Sequence, residues 1–375
     1  MFTENAEFEG LTGVGRVQLT LEPDQRVYTF IGENGVGKTK TLEALFQVFF
    51  FSSSLVEKTL DLHRSIYLKF NNFKEIGSPD VNPGQEKSKK TSIYYAKELF
   101  KKTKHNLPVL FIGAQSRGII TRKINDARPL ENLSSRRESY ISSINNKMDK
   151  DFGSINMDSS IEQWFVTLAQ SSNPYQKKED NRGFEIETVI KILHEIDSRI
   201  DPEFLEISGG GRVSLKIEGQ KRELSQLSSG FSSIVKIIQA IVSGYGYFTN
   251  ETNIQKVKGI ILIDEIESHL HLTWQANIIP LLKSIFPNTT FYITTHSSVV
   301  LSQLNEGEAY KLYRDSDGIV KTDKIPAPNK AALADILKDV FHIDLNKQKI
   351  DNSNADQQQE AKNQLMQLLN QQEEN

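Results

Sequence analysis

One octapeptide constrains this chain more than any other feature: Gly32-Glu-Asn-Gly-Val-Gly-Lys-Thr39. A short apolar run, Arg26 to Ile31, precedes it, and Leu42, Leu45, Phe46 and Phe49 follow at helical spacing. Strand, G-x-x-x-x-G-K-[ST] and helix together form the Walker A arrangement. Gly32, Gly35 and Gly37 let backbone N–H groups curl around an anion where a Cβ would obstruct them, with Glu33, Asn34 and Val36 completing the loop. A helix beginning at Lys38 turns its positive end to the same anion. Lys38 can reach the β- and γ-phosphates of ATP, and Thr39 can offer its hydroxyl to Mg2+. The fold is therefore expected to be α/β.

A second apolar strand, Ile260 to Ile263, ends in Asp264 and Glu265. At the carboxyl end of a parallel strand, Asp264 is positioned to hold Mg2+ through water, and Glu265 to polarise the water that attacks the γ-phosphate. A third run, Phe291 to Thr295, leads into His296, expected to contact the γ-phosphate, and Ser297. Leu227-Ser-Ser-Gly-Phe231 stands before a strongly apolar helix, from about Phe231 to Val242, with Ile234, Ile238 and Ile241 on one face. Ser228 and Gly230 thus form a second anion-binding helix start.

The remainder is less regular. Arg16 to Thr20 and Arg212 to Ile217 alternate as exposed strands do, and Pro108 to Gly113 reads as a strand inside a polar stretch from Ser52 to Pro202. Glu185 to Ile196 is a helix. Tyr310 to Tyr313 and Gly318 to Thr322 read as a hairpin around Asp315-Ser-Asp317-Gly. Beyond Lys347 the sequence is rich in Gln and Asn. With 375 residues and no cysteine, the chain can build a large core and excludes disulfides and thiolate metal sites. Met1 to Gly10 carries no apolar run, and Leu42 to Leu55 is too short to span a bilayer, so the expectation is a cytoplasmic protein with no membrane partner. The net charge is only -3, but residues 81–150 hold 15 Lys and Arg against 6 Asp and Glu. That excess reads either as a solvated arm or as a surface for nucleic acid.

The order of these motifs resembles that of ABC-type ATPase heads of the SMC-like and RecF-like group. The phrase Leu262-Ile-Asp-Glu-Ile-Glu-Ser-His-Leu-His271, with Trp274 to Leu282, Phe286-Pro287 and Thr294-Thr-His-Ser297, is most similar to bacterial ATPases related to overcoming-lysogenization-defect proteins. The resemblance implies an ABC-type P-loop NTPase head, α/β, with a mostly parallel core sheet, an amino-terminal antiparallel β part and an inserted helical segment. It divides the chain into a discontinuous head, 1–50 and 205–345, an inserted basic arm, 51–204, and a polar tail, 346–375. It implies ATP and Mg2+ as ligands, and two heads sandwiching ATP, with Ser228 and Gly230 acting across the interface. It also implies a glutamine loop, for which Gln115 is the candidate to sense Mg2+ and the attacking water; Arg117 is the alternative functional group there. Two departures stand out. The signature reads Ser-Ser-Gly-Phe rather than Ser-Gly-Gly-Gln, and neither Arg16 nor Arg26 can be assigned the family's arginine role. Overcoming-lysogenization-defect nucleases carry a TOPRIM domain, but Asp315-Ser-Asp317 is read as a turn rather than a metal motif. The expectation is then an ATPase of an antiphage defence module, similar to Septu- or PARIS-like systems, acting with an effector encoded separately. The alternatives are a RecF-like DNA-maintenance head and a transporter ATPase subunit.

Overall fold

A computed structural model describes residues 5–59, 65–75, 90–92, 103–120, 130–158 and 160–344, with a few isolated positions beyond them. In chain order the strands are β1 (Asn5–Leu11), β2 (Gly15–Thr20), β3 (Val27–Ile31), β4 (Ser65–Tyr67), β5 (Asn72–Glu75), β6 (Lys90–Ser92), β7 (Val109–Ile112), β8 (Ile200–Ile207), β9 (Val213–Ile217), β10 (Gln220–Glu223), β11 (Gly259–Ile263), β12 (Thr289–Thr294), β13 (Ala309–Arg314) and β14 (Val320–Lys324). Nine of them form one sheet, ordered β5-β1-β2-β14-β13-β3-β12-β11-β7. Pairing is parallel from β13 through β3, β12 and β11 to β7, and antiparallel from β5 through β1 to β2. The expected α/β fold, mostly parallel with an antiparallel amino-terminal part, is present. β5 and β7, both within 51–204, belong to this sheet.

The burial pattern follows from that topology. Every residue of β3, β7 and β11 is buried, as parallel strands covered on both faces require. Adjacent residues of a strand point to opposite faces, and β7 uses both. Phe111 meets Phe46 of the helix Lys38–Ser52, with ring centroids 5.3 Å apart. Leu110 packs against Gly244 of the helix Ser229–Gly246, so closely that a Cβ there would come within 2.6 Å of it. The helix after Gly37 and the helix after Ser228 therefore cover opposite faces of the sheet.

The smaller antiparallel sheet, β10-β9-β8, carries ion pairs such as Arg212 with Glu223 and Lys216 with Asp201. β13 and β14 form the expected hairpin. Asp315 Oδ1 accepts from the backbone N–H of Asp317 at 3.0 Å and of Ile319 at 2.8 Å, while Lys321 pairs with Oδ2. That carboxylate is fully used in building the turn. Much of the lysine-rich part of 81–150 lies outside the described residues, as does most of the Gln- and Asn-rich stretch beyond Lys347. Within the helix Leu133–Lys150, Arg136 and Arg137 turn inward, donating to Glu131 O and Phe248 O. The chain divides into two compact units, 1–329 and 330–375; the second contains the helix Leu333–Asp339. Among the described residues no helix is long and apolar enough to cross a membrane.

Phe46 joins Phe50, Phe111 and Phe152 in one aromatic cluster. Truncating it with Phe46→Ala is expected to cost about 3–5 kcal/mol, read as a lower urea midpoint with little change in slope.

A candidate nucleotide site

The loop 32–37 leaves the carboxyl end of β3 and enters the helix Lys38–Ser52. Two glycines are enforced by geometry. Gly37 has φ +112°, and a Cβ there would lie 2.8 Å from Val14 in the β1–β2 turn. At Gly32, φ +155°, a Cβ would come within 2.5 Å of the Leu312 carbonyl. Packing beneath the loop thus excludes a side chain at either position. Lys38 Nζ donates to the carbonyls of Gly32 at 2.8 Å and Glu33 at 3.0 Å. Burial lowers the pKa of this ammonium, opposed by the charges of Glu267, Glu265 and Asp264.

Asp264 follows β11, which is separated from β3 by β12. Its Oδ1 accepts from Thr39 Oγ1 at 3.0 Å and from Thr294 Oγ1, at the end of β12, at 2.6 Å. Burial raises the carboxyl pKa, and the two hydroxyl bonds work against that rise. A hydroxyl beside a carboxylate is a hard-oxygen pair of the kind Mg2+ takes, with phosphate oxygens and water completing its shell. The residues present fit that ion.

Glu265 adopts φ +45°, uncommon for a side chain larger than glycine. Its N–H donates to Thr294 Oγ1 at 2.8 Å, and its Oε2 accepts from Ser268 Oγ at 2.9 Å. Arg117 fastens the turn from below. Fully buried, it donates to the carbonyls of Gly113 and Asp264, each at 2.7 Å, and of Glu265 at 2.8 Å. Burial lowers the guanidinium to about 10, against the pull of Asp264, Glu267 and Glu265, so it stays charged near neutrality. Of the two candidates after β7, Arg117 is the brace. Gln115 lies with Thr39, Asp264, Glu265 and His269 along a cleft of about 590 Å3.

His296 is exposed past β12, and its backbone N–H donates to Glu267 Oε1 at 2.6 Å. Its side chain is not among those lining the cleft. Glu267 also accepts from Thr295 Oγ1 at 2.7 Å, tying the loop after β11 to the end of β12. Sequence reasoning missed Thr294, Glu267 and Ser268 as supporting residues. The only signal was their position beside motif residues.

Ser228 caps the helix Ser229–Gly246, its Oγ accepting from the Phe231 N–H at 3.3 Å. The helix begins two residues earlier than its apolar periodicity indicates, because the cap rather than the apolar face sets the start. Ser228 and Gly230 are not among the cleft-lining residues. A Cβ on Gly230 would lie 3.2 Å from the His269 carbonyl, and Ser233 Oγ donates to Ser268 O at 3.2 Å. The Ser-Ser-Gly turn therefore rests on the loop that follows Glu265 in its own chain. Farther along, Lys236 Nζ donates to Ser116 O at 2.7 Å and Met157 O at 3.1 Å.

A P-loop on β3, an acidic pair two strands away and a serine-capped helix between them in chain order define an ABC-type P-loop head. The chain belongs to the family described as "AAA domain, putative AbiEii toxin, Type IV TA system", whose profile matches residues 27–302. Among curated proteins it is 36% identical over 125 residues to the Septu protein PtuA of Bacillus thuringiensis, covering 32% of each chain. It is 40% identical over 88 residues to the Retron Ec83 probable ATPase of Escherichia coli, covering 23% of this chain and 16% of that one. The matches thus span about a third or less of these relatives' length. A solved SMC head bound to the C-terminal winged-helix domain of ScpA aligns at TM-score 0.46 and 14% identity, covering 87% of this chain and 98% of that one.

Arg117→Met should leave the buried carbonyls of Gly113 and Asp264 without a donor, while that of Glu265 keeps the Ser268 N–H. It is expected to lower stability by about 3 kcal/mol or more, measured by urea unfolding. Lys236 gives a pH prediction. Burial lowers its ammonium from an ordinary 10.5 to about 8. The folded chain then holds that proton less tightly than the unfolded chain. The cost of keeping Lys236 charged is present below 8 and falls away as the pH climbs toward 10.5. Its 13Cε resonance should titrate near 8, well below the exposed lysines.

Proposed function

We propose that this protein is an ATP-hydrolysing, dimerising switch of a bacterial antiphage defence system. The observation that carries it is the contact of Thr39 Oγ1 with Asp264 Oδ1, which brings the P-loop and the acidic strand end to one point, with Glu265 the next residue. The loop amides and Lys38 hold the phosphates, and Thr39 and Asp264 hold Mg2+. Mg2+ held by Thr39 and Asp264 would supply neutralisation of phosphate charge and polarisation of the γ-phosphate. Glu265, steadied by Ser268, orients the attacking water and takes its proton, while Gln115 stands along the same cleft. His296 is the candidate for the γ-phosphate from the end of β12.

The reading assigns Ser228 and Gly230 to the nucleotide of a second head. Ser228 is exposed at the start of the helix it caps, which supports that division, since a capped and exposed helix start is suited to an anion supplied by another copy. ATP then favours the closed pair by touching both heads, and hydrolysis removes that preference. The family and the similarity to a Septu protein and a retron ATPase support a role in defence. The head does its work through a separately encoded effector. Direct binding of DNA is the alternative reading; among the described basic residues of 81–150, Arg117, Arg136 and Arg137 are spent on contacts inside the protein and do not serve it.

Glu265→Gln is expected to bind ATP, to hydrolyse it about 100-fold more slowly or worse, and to accumulate as an ATP-dependent dimer in light scattering. Wild-type turnover by Glu265→Gln would remove that residue from the role of base. An effector from the native operon should copurify with the Glu265→Gln dimer.

A further inference from the structure

A second cavity, of about 420 Å3, lies away from the nucleotide cleft, where the helices Leu133–Lys150, Ile161–Ser171, Phe184–Ile196 and Ser229–Gly246 approach one another. Its size falls within the range of about 300–1,000 Å3 typical of small-molecule sites. Arg136, Gln163, Trp164, Glu185, Gln239 and Tyr247 line it. A smaller lobe of about 260 Å3 shares Gln239, Ser243 and Tyr247.

The charges here are already matched. Arg136 Nη1 donates to Glu131 O at 2.6 Å and Nη2 to Asn250 Oδ1 at 2.8 Å. Glu185 Oε1 accepts from Arg182 Nε at 2.6 Å, and Asp158 pairs with Lys147. Arg136 Nη1 also lies 3.8 Å from Asp180 Oδ1, so the charge of this lining cation already has a carboxylate beside it. What the cavity retains is hydrogen-bonding capacity rather than spare charge. Arg136 is 6% exposed, and its Nε has no hydrogen-bond partner; the buried Gln163 Oε1 has none either. An orphaned buried polar atom is costly, and because both residues line the cavity a small side-chain turn toward it gives each atom a partner there. Gln239, 5% exposed, adds an amide with both a donor and an acceptor. Two aromatic walls complete the site: Trp164, and Tyr247, whose ring is fixed by stacking on Tyr140 at 4.5 Å and 11°. Donors and acceptors set among flat aromatic walls, with no free positive charge, suit the edge and face of a neutral heteroaromatic ring.

We propose that this cavity is a second ligand site, taking a nucleobase or nucleoside rather than a nucleotide. Its position gives it a consequence. The wall carrying Gln239 and Tyr247 belongs to or directly follows the helix capped by Ser228. Midway along that helix Lys236 holds Ser116 O, beside Gln115 of the cleft, and Met157 O, beside Asp158 of the cavity. A ligand that shifts this helix changes how Ser228 is presented, and by linkage ATP and the nucleoside alter each other's affinity by the same factor. The coupling rests on the proposed function; the binding site does not.

Titration calorimetry with adenosine and guanosine on the full chain tests it. One of them should bind with one-to-one stoichiometry and a Kd of about 100 μM or tighter. Gln163→Leu and Gln239→Leu should each weaken that binding about tenfold or more while keeping the wild-type melting temperature. Gln163 is half-buried, so its variant carries the test if Gln239→Leu fails to fold. Lys38→Ala should leave nucleoside binding unchanged while abolishing ATP binding, which separates this site from the nucleotide cleft. The proposal is overturned if neither nucleoside binds at about 1 mM. It is equally overturned if Lys38→Ala abolishes binding that Gln163→Leu leaves intact.

Discussion

The arrangement of this head depends on one carboxylate oxygen. Asp264 Oδ1 takes a hydroxyl hydrogen bond from Thr39 and another from Thr294, so the ends of β3, β12 and β11 are held at one point. The three strands lie side by side with all-buried or nearly all-buried faces, which leaves their carboxyl ends as the place where polar groups can gather. Burial pushes the pKa of this carboxyl up, and the two hydroxyl bonds oppose that rise.

A second constraint acts beneath it. Glu265 turns through a positive φ immediately after a buried strand, and Arg117 spends its guanidinium on the carbonyls that this turn exposes. An arginine with no exposed surface is costly unless its donors are used, and here three backbone oxygens take hydrogen bonds from Nη1 and Nη2 while Nε is left without a partner. From the same turn the chain passes through Glu267, which ties it to β12, and His269, which meets Gly230. The acidic strand end and the Ser-Ser-Gly turn are therefore mechanically continuous within one head.

Legibility in the sequence followed the periodicity of burial. β3, β7, β11 and β12 are apolar runs and were readable, as were the helices after Gly37 and within Glu185 to Ile196. β5 was not: Asn72-Phe-Lys-Glu is too short and polar to announce a strand, and only its pairing with β1 makes it one. Arg136 and Arg137 read as part of a basic surface, because composition counts charges without regard to direction. Their actual partners, Asn250 and Phe248, are more than a hundred residues away.

The sequence by itself determined the phosphate loop, the acidic pair, the α/β class and the order of motifs, because each is a local pattern whose residues are neighbours in the chain. Only the tertiary structure decided which side chains serve them. Thr294 reaches Asp264 across 30 residues, Arg117 reaches the turn after β11 across 147, and Lys236 spans from Ser116 to Met157. Contacts of that kind depend on strand order and on which helix covers which face. Those are set by the packing of the whole sheet, and no window of sequence contains them.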